Sequence, residues 1–329
     1  MCGITCVWGK NSAVKAVKIL KSQENRGTSS TGLAYVKNGK IVILKDTISP
    51  TRFEETFNKE INSIESQIVI GHNRMPSVGG VTHENAHPFL SCNGNFALVH
   101  NGSVGELDSD KIRYLLKNLG HEFQGQTDSE VIMHIFGQLL ERYNNDIIQA
   151  IQKLREIIGY YESILVLFKS GEVYGFGSNV KIIEENGEIY LGSEEESFSG
   201  LFENQTKTIL SPERETIFKI KDGKLIWYGE KREESCVITK RQTKYIWYYK
   251  DYEDDYDGED YAEDYDEEDC ADEDYGKWLE KKAVKKFRDK KSKKKKKKKH
   301  KTEPKVYGYK LGYIYRGGKR IKKWVRVKL

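Results

Sequence analysis

This sequence lacks the features that would place it in a membrane or in an oxidising compartment. It has no run of eighteen apolar residues, so no transmembrane helix is expected. The stretch Met1–Trp8 is too short for the apolar region of a signal peptide, and Lys10 follows it. The cysteines are odd in number and widely scattered, which favours free thiols in a reducing compartment; they are Cys2, Cys6, Cys92, Cys236 and Cys270. We therefore expect a cytoplasmic protein that does not bind membranes.

Spacings typical of metal sites are also missing. Cys2 and Cys6 would make one pair of metal ligands, but no second pair stands at ligand spacing. No metal-ligand spacing joins four of the histidines, His72, His83, His121 and His134. The sequence therefore predicts no metal ion and no cofactor.

Charge is concentrated after Lys250. The run Asp251–Asp274 holds sixteen acidic residues and no basic one, whereas Lys277–Leu329 holds twenty-five Lys and Arg against three acids. The formal net charge of the whole chain is +5, so Met1–Lys250 is close to neutral. This distribution predicts an ordinary globular domain followed by a low-complexity charged tail, which has too little apolar surface to offset the entropy of ordering.

Hydrophobic periodicity up to about Ser235 predicts strands in hairpins and a group of helices. Asn38-Gly39 and Asp222-Gly223 are typical of two-residue hairpin turns. Because strands and helices do not alternate regularly, packed antiparallel sheets with helical layers are favoured over a doubly wound parallel sheet. The predicted strands are Ile4–Trp8, Gly32–Val36, Ile41–Leu44, Ile68–His72, Phe96–His100, Ser163–Lys169, Glu172–Phe176, Glu188–Ser193, Thr216–Ile220 and Lys224–Tyr228, and the predicted helices are Asn11–Glu24, Ser109–Asn118, Ser129–Arg142 and Asp146–Ile157.

The composition divides the chain into three parts. Residues 1–235 form the predicted globular domain, and residues 236–303 an acidic, Tyr-rich and then poly-Lys segment expected to be disordered. Residues 304–329 form a basic, aromatic C-terminal segment. Within it, Val306–Lys328 alternates aromatic and β-branched residues around Arg316-Gly317-Gly318-Lys319, which predicts a small basic hairpin.

Cys2 gives the first indication of chemistry. Removal of Met1 would leave a thiol and an α-amino group on the same residue. The thiolate is a nucleophile, and an α-amine with an unperturbed pKa of about 7.7–8.0 can act as its base. By itself, however, a cysteine at position 2 is usually incidental.

Five further groups of residues follow Cys2 along the chain: Arg26–Gly32, Gly71–Arg74, Asn85–Phe89, Val99–Gly102 and Thr127–Val131. The spacing from Arg74 to Asn85 is eleven positions. With these motifs, Met1–Glu230 resembles the class II (N-terminal-nucleophile, Ntn) glutamine amidotransferase family. The resemblance implies an α+β fold, a four-layer αββα sandwich of the Ntn-hydrolase type. It also implies hydrolysis of L-glutamine to L-glutamate and ammonia through a thioester on Cys2.

The resemblance assigns roles in binding and catalysis to particular residues. Arg74 would bind the α-carboxylate of glutamine with its planar guanidinium group, and Asp128 would bind the α-ammonium group. The Asn101 side chain and the Gly102 backbone N–H would stabilise the oxyanion, each by about 3 kcal/mol.

Four further positions are implied to line the pocket. Arg26 and Gly27 would shape its wall beside the nucleophile, Ser77 would touch the substrate, and His87 would lie in the loop that closes the site. The chain departs from the family pattern after Arg74, where Met75-Pro76 replaces an aromatic residue. It departs again at Thr28-Ser29-Ser30, where an acidic residue is common. Neither departure removes a catalytic group, but both bear on substrate affinity.

In this family the ammonia passes to a second, synthase domain. Nothing after Ser235 resembles a sugar isomerase, a phosphoribosyltransferase or an ATP-dependent synthetase, so we expect a separate synthase or transferase subunit to receive the ammonia, or its simple release. Two other interpretations remain open. One is a catalytically inactive, glutaminase-like scaffold. The other is a nucleic-acid-associated protein that acts through its basic tail, unless the tail folds back on its own acidic run.

Overall fold

The computed structural model describes residues 2–76, 79–102, 104, 109–158, 163–213, 215–240, 275–279, 281–282, 307–316 and 319–328. The chain divides into two units, Met1–Ala283 and Val284–Leu329. The strands of the first unit are β1 (Gly3–Trp8), β2 (Ser30–Lys37), β3 (Lys40–Asp46), β4 (Ile68–Arg74), β5 (Phe89–Leu90), β6 (Phe96–Asn101), β7 (Ser163–Phe168), β8 (Val173–Phe176), β9 (Lys181–Glu185), β10 (Glu188–Gly192), β11 (Thr206–Pro212), β12 (Ile217–Lys221), β13 (Lys224–Tyr228) and β14 (Lys231–Val237). Its helices are α1 (Ser12–Ser22), α2 (Pro50–Thr56), α3 (Asn58–Asn62), α4 (Ser109–Asn118), α5 (Asp128–Arg142), α6 (Ile147–Ile158) and α7 (Ser199–Phe202).

The strands form two antiparallel sheets. The first sheet has eight strands in the order β14-β11-β9-β10-β1-β4-β2-β3, and the second has six in the order β13-β12-β8-β7-β6-β5. The two predicted hairpin turns are confirmed. Asn38 and Gly39 have φ angles of 52° and 68°, and Asp222 and Gly223 have φ angles of 49° and 72°, a left-handed conformation that Asn, Asp and Gly adopt most readily.

Three hydrophobic clusters show that the sheets lie between helical layers. The middle cluster joins the two sheets, through residues such as Ile4, Ile70, Val99 and Leu165. A second cluster packs α1, α2, α3 and α7 on the outer face of the first sheet, and a third packs α4, α5 and α6 on the outer face of the second. This arrangement is the four-layer αββα sandwich that the family resemblance implied.

Several elements were not predicted from the sequence: β5, β9, β11, β14, α2, α3 and α7. Strand β14 shows why, because it lies at the edge of its sheet and is exposed along most of its length, so no apolar pattern marks it. The apolar pattern ends near Ser235, but β14 continues to Val237. Ile238 is then buried beside α1 and its neighbours.

A short helical stretch from the acidic and basic tail packs on the domain. We call residues 275–279, 281 and 282 the docked segment; they lie within the interval for which the sequence predicted disorder. Tyr275 and Leu279 are fully buried in the cluster formed by α4, α5 and α6. Lys282 Nζ donates hydrogen bonds to Gln138 Oε1 (2.7 Å) and to Glu141 Oε2 (2.9 Å).

The second unit contains an antiparallel hairpin of β15 (Tyr307–Arg316) and β16 (Lys319–Lys328). Their register pairs Arg316 with Lys319 and Tyr307 with Lys328. Of the helices described in either unit, none has the length and apolar character needed to cross a membrane. The four cysteines within the described ranges, Cys2, Cys6, Cys92 and Cys236, are free thiols as expected.

Candidate active site

Strands from both sheets bring the candidate catalytic residues together. Cys2 immediately precedes β1, which pairs with β4 so that Gly3 lies opposite Asn73, the neighbour of Arg74. Strand β6 of the other sheet ends at Asn101. The backbone nitrogen of Cys2 donates a hydrogen bond of 3.1 Å to Asn101 Oδ1, so the site spans the two sheets.

The Cys2 thiol is partly buried and sits in a mixed electrostatic environment. Its Sγ lies 3.5 Å from the Met75 carbonyl oxygen, to which it donates. Burial raises the pKa of this thiol above its ordinary value, although the Met75 contact, the chain terminus and the charges of Arg74 and Arg26 oppose that shift. At neutral pH the resting group is therefore a thiol, and a nucleophilic reaction would need a base to accept its proton.

The orientation of the Asn101 side chain follows from its bond to Cys2. Because Oδ1 accepts from the Cys2 nitrogen, Nδ2 is the amide atom that can donate to an oxyanion. Asn101 is buried, and β6 ends there, so the next backbone N–H, that of Gly102, comes directly after the last strand residue. The two donors assigned to the oxyanion are thus adjacent in the chain and close to Cys2.

Arg26 holds the main chain of Cys2. Its Nε donates 2.8 Å to the Cys2 carbonyl oxygen, and its Nη1 forms an ion pair of 3.0 Å with Glu194 Oε2. No role was predicted for Glu194 from the sequence. Arg26 therefore positions Cys2 through its backbone, and Glu194 holds Arg26.

Gly27 allows a close contact between two parts of the site. A Cβ atom at this position would lie 2.4 Å from the Arg74 carbonyl carbon and 2.8 Å from the Met75 nitrogen. Real Cβ atoms essentially never come so near, so any side chain here would displace the backbone of Arg74 and Met75 at the end of β4.

Gln23 and Asn73 form a hydrogen-bonded support that the sequence did not reveal. Gln23 Nε2 donates 3.0 Å to the Ile4 carbonyl, and Gln23 Oε1 accepts from the Ser197 hydroxyl at 2.8 Å. Asn73 Nδ2 donates to the carbonyl oxygens of Gln23 (3.0 Å) and Gly27 (2.9 Å). Both side chains are fully buried, so these bonds tie β1, α1 and β4 together beneath Cys2.

Arg74 and Asp128 bring opposite charges to the site. Arg74 is buried, and its guanidinium nitrogens donate to the carbonyls of Gly80 (3.0 Å) and Gly79 (3.4 Å). Burial lowers its pKa, while the nearby Cys2 and Asp128 raise it. Asp128 begins α5, where its Oδ1 accepts from Ser129 N at 2.8 Å. The charges of Cys2 and Asp128 therefore both act on the Arg74 guanidinium.

The remaining two predicted residues differ in their placement. Ser77 lies outside the described residues. The His87 ring is buried, stacks on His72 with centroids 3.9 Å apart, and meets the Phe89 ring edge-on. Burial lowers the pKa of His87 well below its usual value, so the ring is neutral. Its position in the interior contrasts with the closing loop in which the resemblance placed it, and its role stays a prediction.

Within the described ranges, one group of side chains has the composition of a metal site: Cys92, His121 and His134. It does not include Cys2 or any other residue assigned to glutamine. The candidate active site is therefore built from a thiol, an amide, a guanidinium and a carboxylate.

Comparisons with known proteins agree with this arrangement. A family model described as a glutamine amidotransferase domain matches residues 58–151. The glutamine–fructose-6-phosphate aminotransferase of Sulfurisphaera tokodaii is 34% identical over 173 residues, which is 51% of this chain and 28% of the relative. The enzyme of the same name from Streptococcus pyogenes is 34% identical over 168 residues, 50% of this chain and 27% of that protein. The matched region is thus about a quarter of these curated relatives.

A solved structure supports the fold independently. The glutamine phosphoribosylpyrophosphate amidotransferase of B. subtilis superposes with a TM-score of 0.57 and 21% identity, over 69% of this chain and 49% of that one. This chain therefore matches a glutamine amidotransferase domain in sequence over residues 58–151. Its sequence likeness is to the aminotransferases and its fold likeness to the phosphoribosylpyrophosphate enzyme.

Proposed function

We propose that this protein hydrolyses L-glutamine to L-glutamate and ammonia, with Cys2 as the nucleophile after removal of Met1. The observation that carries the proposal is the hydrogen bond from the Cys2 nitrogen to Asn101 Oδ1, beside Arg74 and Asp128. It supports a site in which the nucleophile, its base and an oxyanion donor are already assembled.

The α-amine freed by processing would stand at the Cys2 nitrogen. While it donates to Asn101 Oδ1, its lone pair remains available to accept the thiol proton. The thiolate then attacks the side-chain amide carbon of glutamine, and Asn101 Nδ2 and Gly102 N–H receive the oxyanion. Collapse of this intermediate breaks the carbon–nitrogen bond and returns the proton from the α-ammonium to the departing ammonia. Water then hydrolyses the thioester, which releases glutamate and regenerates the thiol.

Substrate recognition in this proposal divides between two charged groups. The guanidinium of Arg74 binds the α-carboxylate of glutamine, and the carboxylate of Asp128 binds the α-ammonium. The support for this assignment is that both lie near Cys2 and carry opposite charges. Arg26 and Gly27 shape the neighbouring wall.

The test is a comparison of Cys2→Ala with the matched control Cys236→Ala, a free cysteine on β14. Cys2→Ala should abolish glutamine hydrolysis with the fold intact, and Cys236→Ala should leave it unchanged. Intact-mass analysis with a glutamine-analogue electrophile reports both the loss of Met1 and the labelling of Cys2. Retained glutaminase activity in Cys2→Ala would rule out the mechanism, and an unprocessed, unlabelled chain would favour the inactive scaffold.

We further propose that the ammonia is used by a synthase or transferase on a separate polypeptide. The relatives carry the matching region within a much longer chain, and their names describe an aminotransferase for glutamine and fructose-6-phosphate. Copurification at low salt should recover a partner that raises glutaminase turnover. A protein that stays alone with full, unstimulated activity would instead favour a free-standing glutaminase.

A second candidate function concerns the hairpin of β15 and β16. It carries eight Lys and Arg residues, five aromatic residues and no acid, a combination suited to single-stranded nucleic acid. Binding of a labelled oligonucleotide should fall steeply with salt, and deletion of residues 251–274 should strengthen it by removing a competing acidic run. If neither the full chain nor the variant lacking residues 251–274 bound the oligonucleotide at about 50 mM salt, this function would be excluded.

A further inference from the structure

Three side chains outside the candidate active site meet at one point beside α5. Cys92 lies in the turn between β5 and β6, His121 follows α4, and His134 is buried in α5. Cys92 Sγ lies 3.7 Å from His121 Nδ1 and 3.5 Å from His134 Nδ1. The two Nδ1 atoms are 2.9 Å apart.

This triangle has nearly the dimensions of one face of a zinc tetrahedron. Zn–S bonds of about 2.3 Å and Zn–N bonds of about 2.0–2.1 Å at tetrahedral angles place the sulfur about 3.6 Å from each nitrogen and the nitrogens about 3.3 Å apart. Both sulfur–nitrogen edges agree with these values. The nitrogen–nitrogen edge is about 0.4 Å short, a gap that a small rotation of the half-buried His121 ring would open.

We propose that Cys92, His121 and His134 bind one divalent ion of the zinc class, and that solvent completes the coordination. A thiolate with two imidazoles is a donor set that Zn²⁺ prefers and that Mg²⁺ and Ca²⁺ do not. Cys92 is exposed, so both the ion and a coordinating water can reach the cluster. Binding replaces the thiol proton of Cys92, which is released to solvent.

The surroundings of the cluster hold its rings in place. The Phe123 ring packs on His134 with centroids 4.2 Å apart, and the Gln138 amide lies 2.8 Å from His121 Nε2. The guanidinium of Arg113 lies nearby, over the Phe123 ring, but it is paired with Glu130 at 3.5 Å, which limits its repulsion of a cation.

Gln138 also indicates where the His121 proton lies before metal binding. Because Lys282 Nζ can only donate, the amide atom facing it is Oε1, and Nε2 therefore donates to His121 Nε2. The His121 proton is then on Nδ1, inside the triangle. Metal binding shifts it to Nε2 and turns the amide so that Oε1 accepts it, while Lys282 keeps its bond to Glu141.

The bound ion would join three segments of the domain: the turn before β6, the loop after α4, and α5. Strand β6 ends at Asn101 and α5 begins at Asp128, so the ion would stabilise the framework that carries both residues. The cluster contains no residue assigned to glutamine hydrolysis, so its metal binding and its effect on stability can be measured separately from glutaminase activity.

The experiment titrates Zn²⁺ into the full chain by calorimetry, with a thiol-free reductant and excess Mg²⁺ to occupy the carboxylates of residues 251–274. One tight equivalent is expected, with a rise in the midpoint of thermal unfolding. Cys92→Ser and His121→Gln should each weaken binding by about 100-fold or more, since loss of a ligand exceeds the roughly 10–100-fold effect of an outer contact. The matched controls Cys236→Ser and His83→Gln should bind as the parent does.

A cobalt-loaded sample tests for the thiolate bond directly. Co²⁺ should produce a sulfur-to-metal charge-transfer band in the parent and in Cys236→Ser, and none in Cys92→Ser. Cys92 lies on an exposed turn, so this variant should fold, which thermal unfolding without metal verifies. Zn²⁺ binding that is equal in Cys92→Ser and the parent, or a parent without the thiolate band, would overturn the proposal. In a Cys2→Ala background, Zn²⁺ binding and the charge-transfer band should again be present with Cys92 and lost in Cys92→Ser. This result would show that the ion is not held by the active-site thiol.

Discussion

Gly27 approaches the Arg74–Met75 backbone so closely that a side chain at position 27 should disturb the candidate active site. In Gly27→Ala the new Cβ would lie 2.4 Å from the Arg74 carbonyl carbon, 2.7 Å from its oxygen and 2.8 Å from the Met75 nitrogen. All three are backbone atoms, and the Arg74 oxygen also accepts from Ser29 N at 3.1 Å. Gly27 has φ −178°, an extended conformation that alanine adopts freely, so the contact is the only obstacle.

An ordinary contact begins near 3.4 Å, so the Arg74–Met75 backbone must move by about 1 Å. Arg74 carries the guanidinium assigned to the glutamine carboxylate, and the Met75 carbonyl accepts from the Cys2 thiol. A misplacement of about 1 Å can reduce rate by about 100-fold, so kcat/KM for glutamine should fall by about that factor. The overpacking should also lower the free energy of unfolding by about 1–3 kcal/mol, which leaves the protein folded.

The assay measures glutamate release over a range of glutamine concentrations, together with thermal unfolding. Gly137→Ala is the matched control. Gly137 lies in α5, and a Cβ there would lie 3.8 Å from Phe96 Cζ, which is an ordinary van der Waals contact. It should leave the kinetics unchanged and stabilise the helix by about 0.5–1 kcal/mol. If Gly27→Ala kept both the kinetics and the stability of the parent, the close packing of Gly27 on β4 would be refuted.

Three further variants test the other contacts. Asn101→Ala should chiefly lower kcat, by about 10²–10³, because it removes an oxyanion donor. Arg74→Lys keeps the charge but loses the bidentate interaction with the carboxylate, so steady-state kinetics should show mainly a raised KM. Identical kinetic patterns in Asn101→Ala and Arg74→Lys would contradict the assigned roles. Leu279→Ala removes a fully buried side chain and should lower the free energy of unfolding by about 2–5 kcal/mol. It should also speed hydrogen exchange in the docked segment. Val237 is exposed, so the control Val237→Ala should not speed hydrogen exchange in the docked segment. Equal exchange rates in the two variants would mean that the docked segment does not depend on the burial of Leu279.

Local signals account for the elements that the sequence predicted well. The turns at Asn38-Gly39 and Asp222-Gly223 need only two residues of the right conformational preference, and both hairpins formed where they were expected. Helix α4 and strand β13 have the predicted bounds, since each has a clear periodic pattern. Strand β14 was not predicted, because it is exposed along most of its length and has no apolar face to mark it.

The candidate site shows a similar division. Cys2, Arg74, Asn101 and Asp128 were selected by motif order. In the structure Cys2 is hydrogen-bonded to Asn101, and the charges of Cys2 and Asp128 act on Arg74. His87 was also selected by its motif, yet its ring packs in the interior against His72. A motif identifies a residue type at a position, but the direction of a side chain depends on the strand register and the packing around it.

The sequence by itself determined the residue types of the site, the alternation of strands and turns, and the segregation of charge in the tail, because each of these is set by neighbours within a few positions. Only the tertiary structure decided which distant residues support one another. The Arg26–Glu194 pair joins positions 168 apart, and the Cys92–His134 contact joins positions 42 apart. Tyr275 follows an acidic run that favours disorder, yet it is buried because α4, α5 and α6 present an apolar surface that accepts it. Such contacts depend on how whole layers pack, which no local pattern encodes.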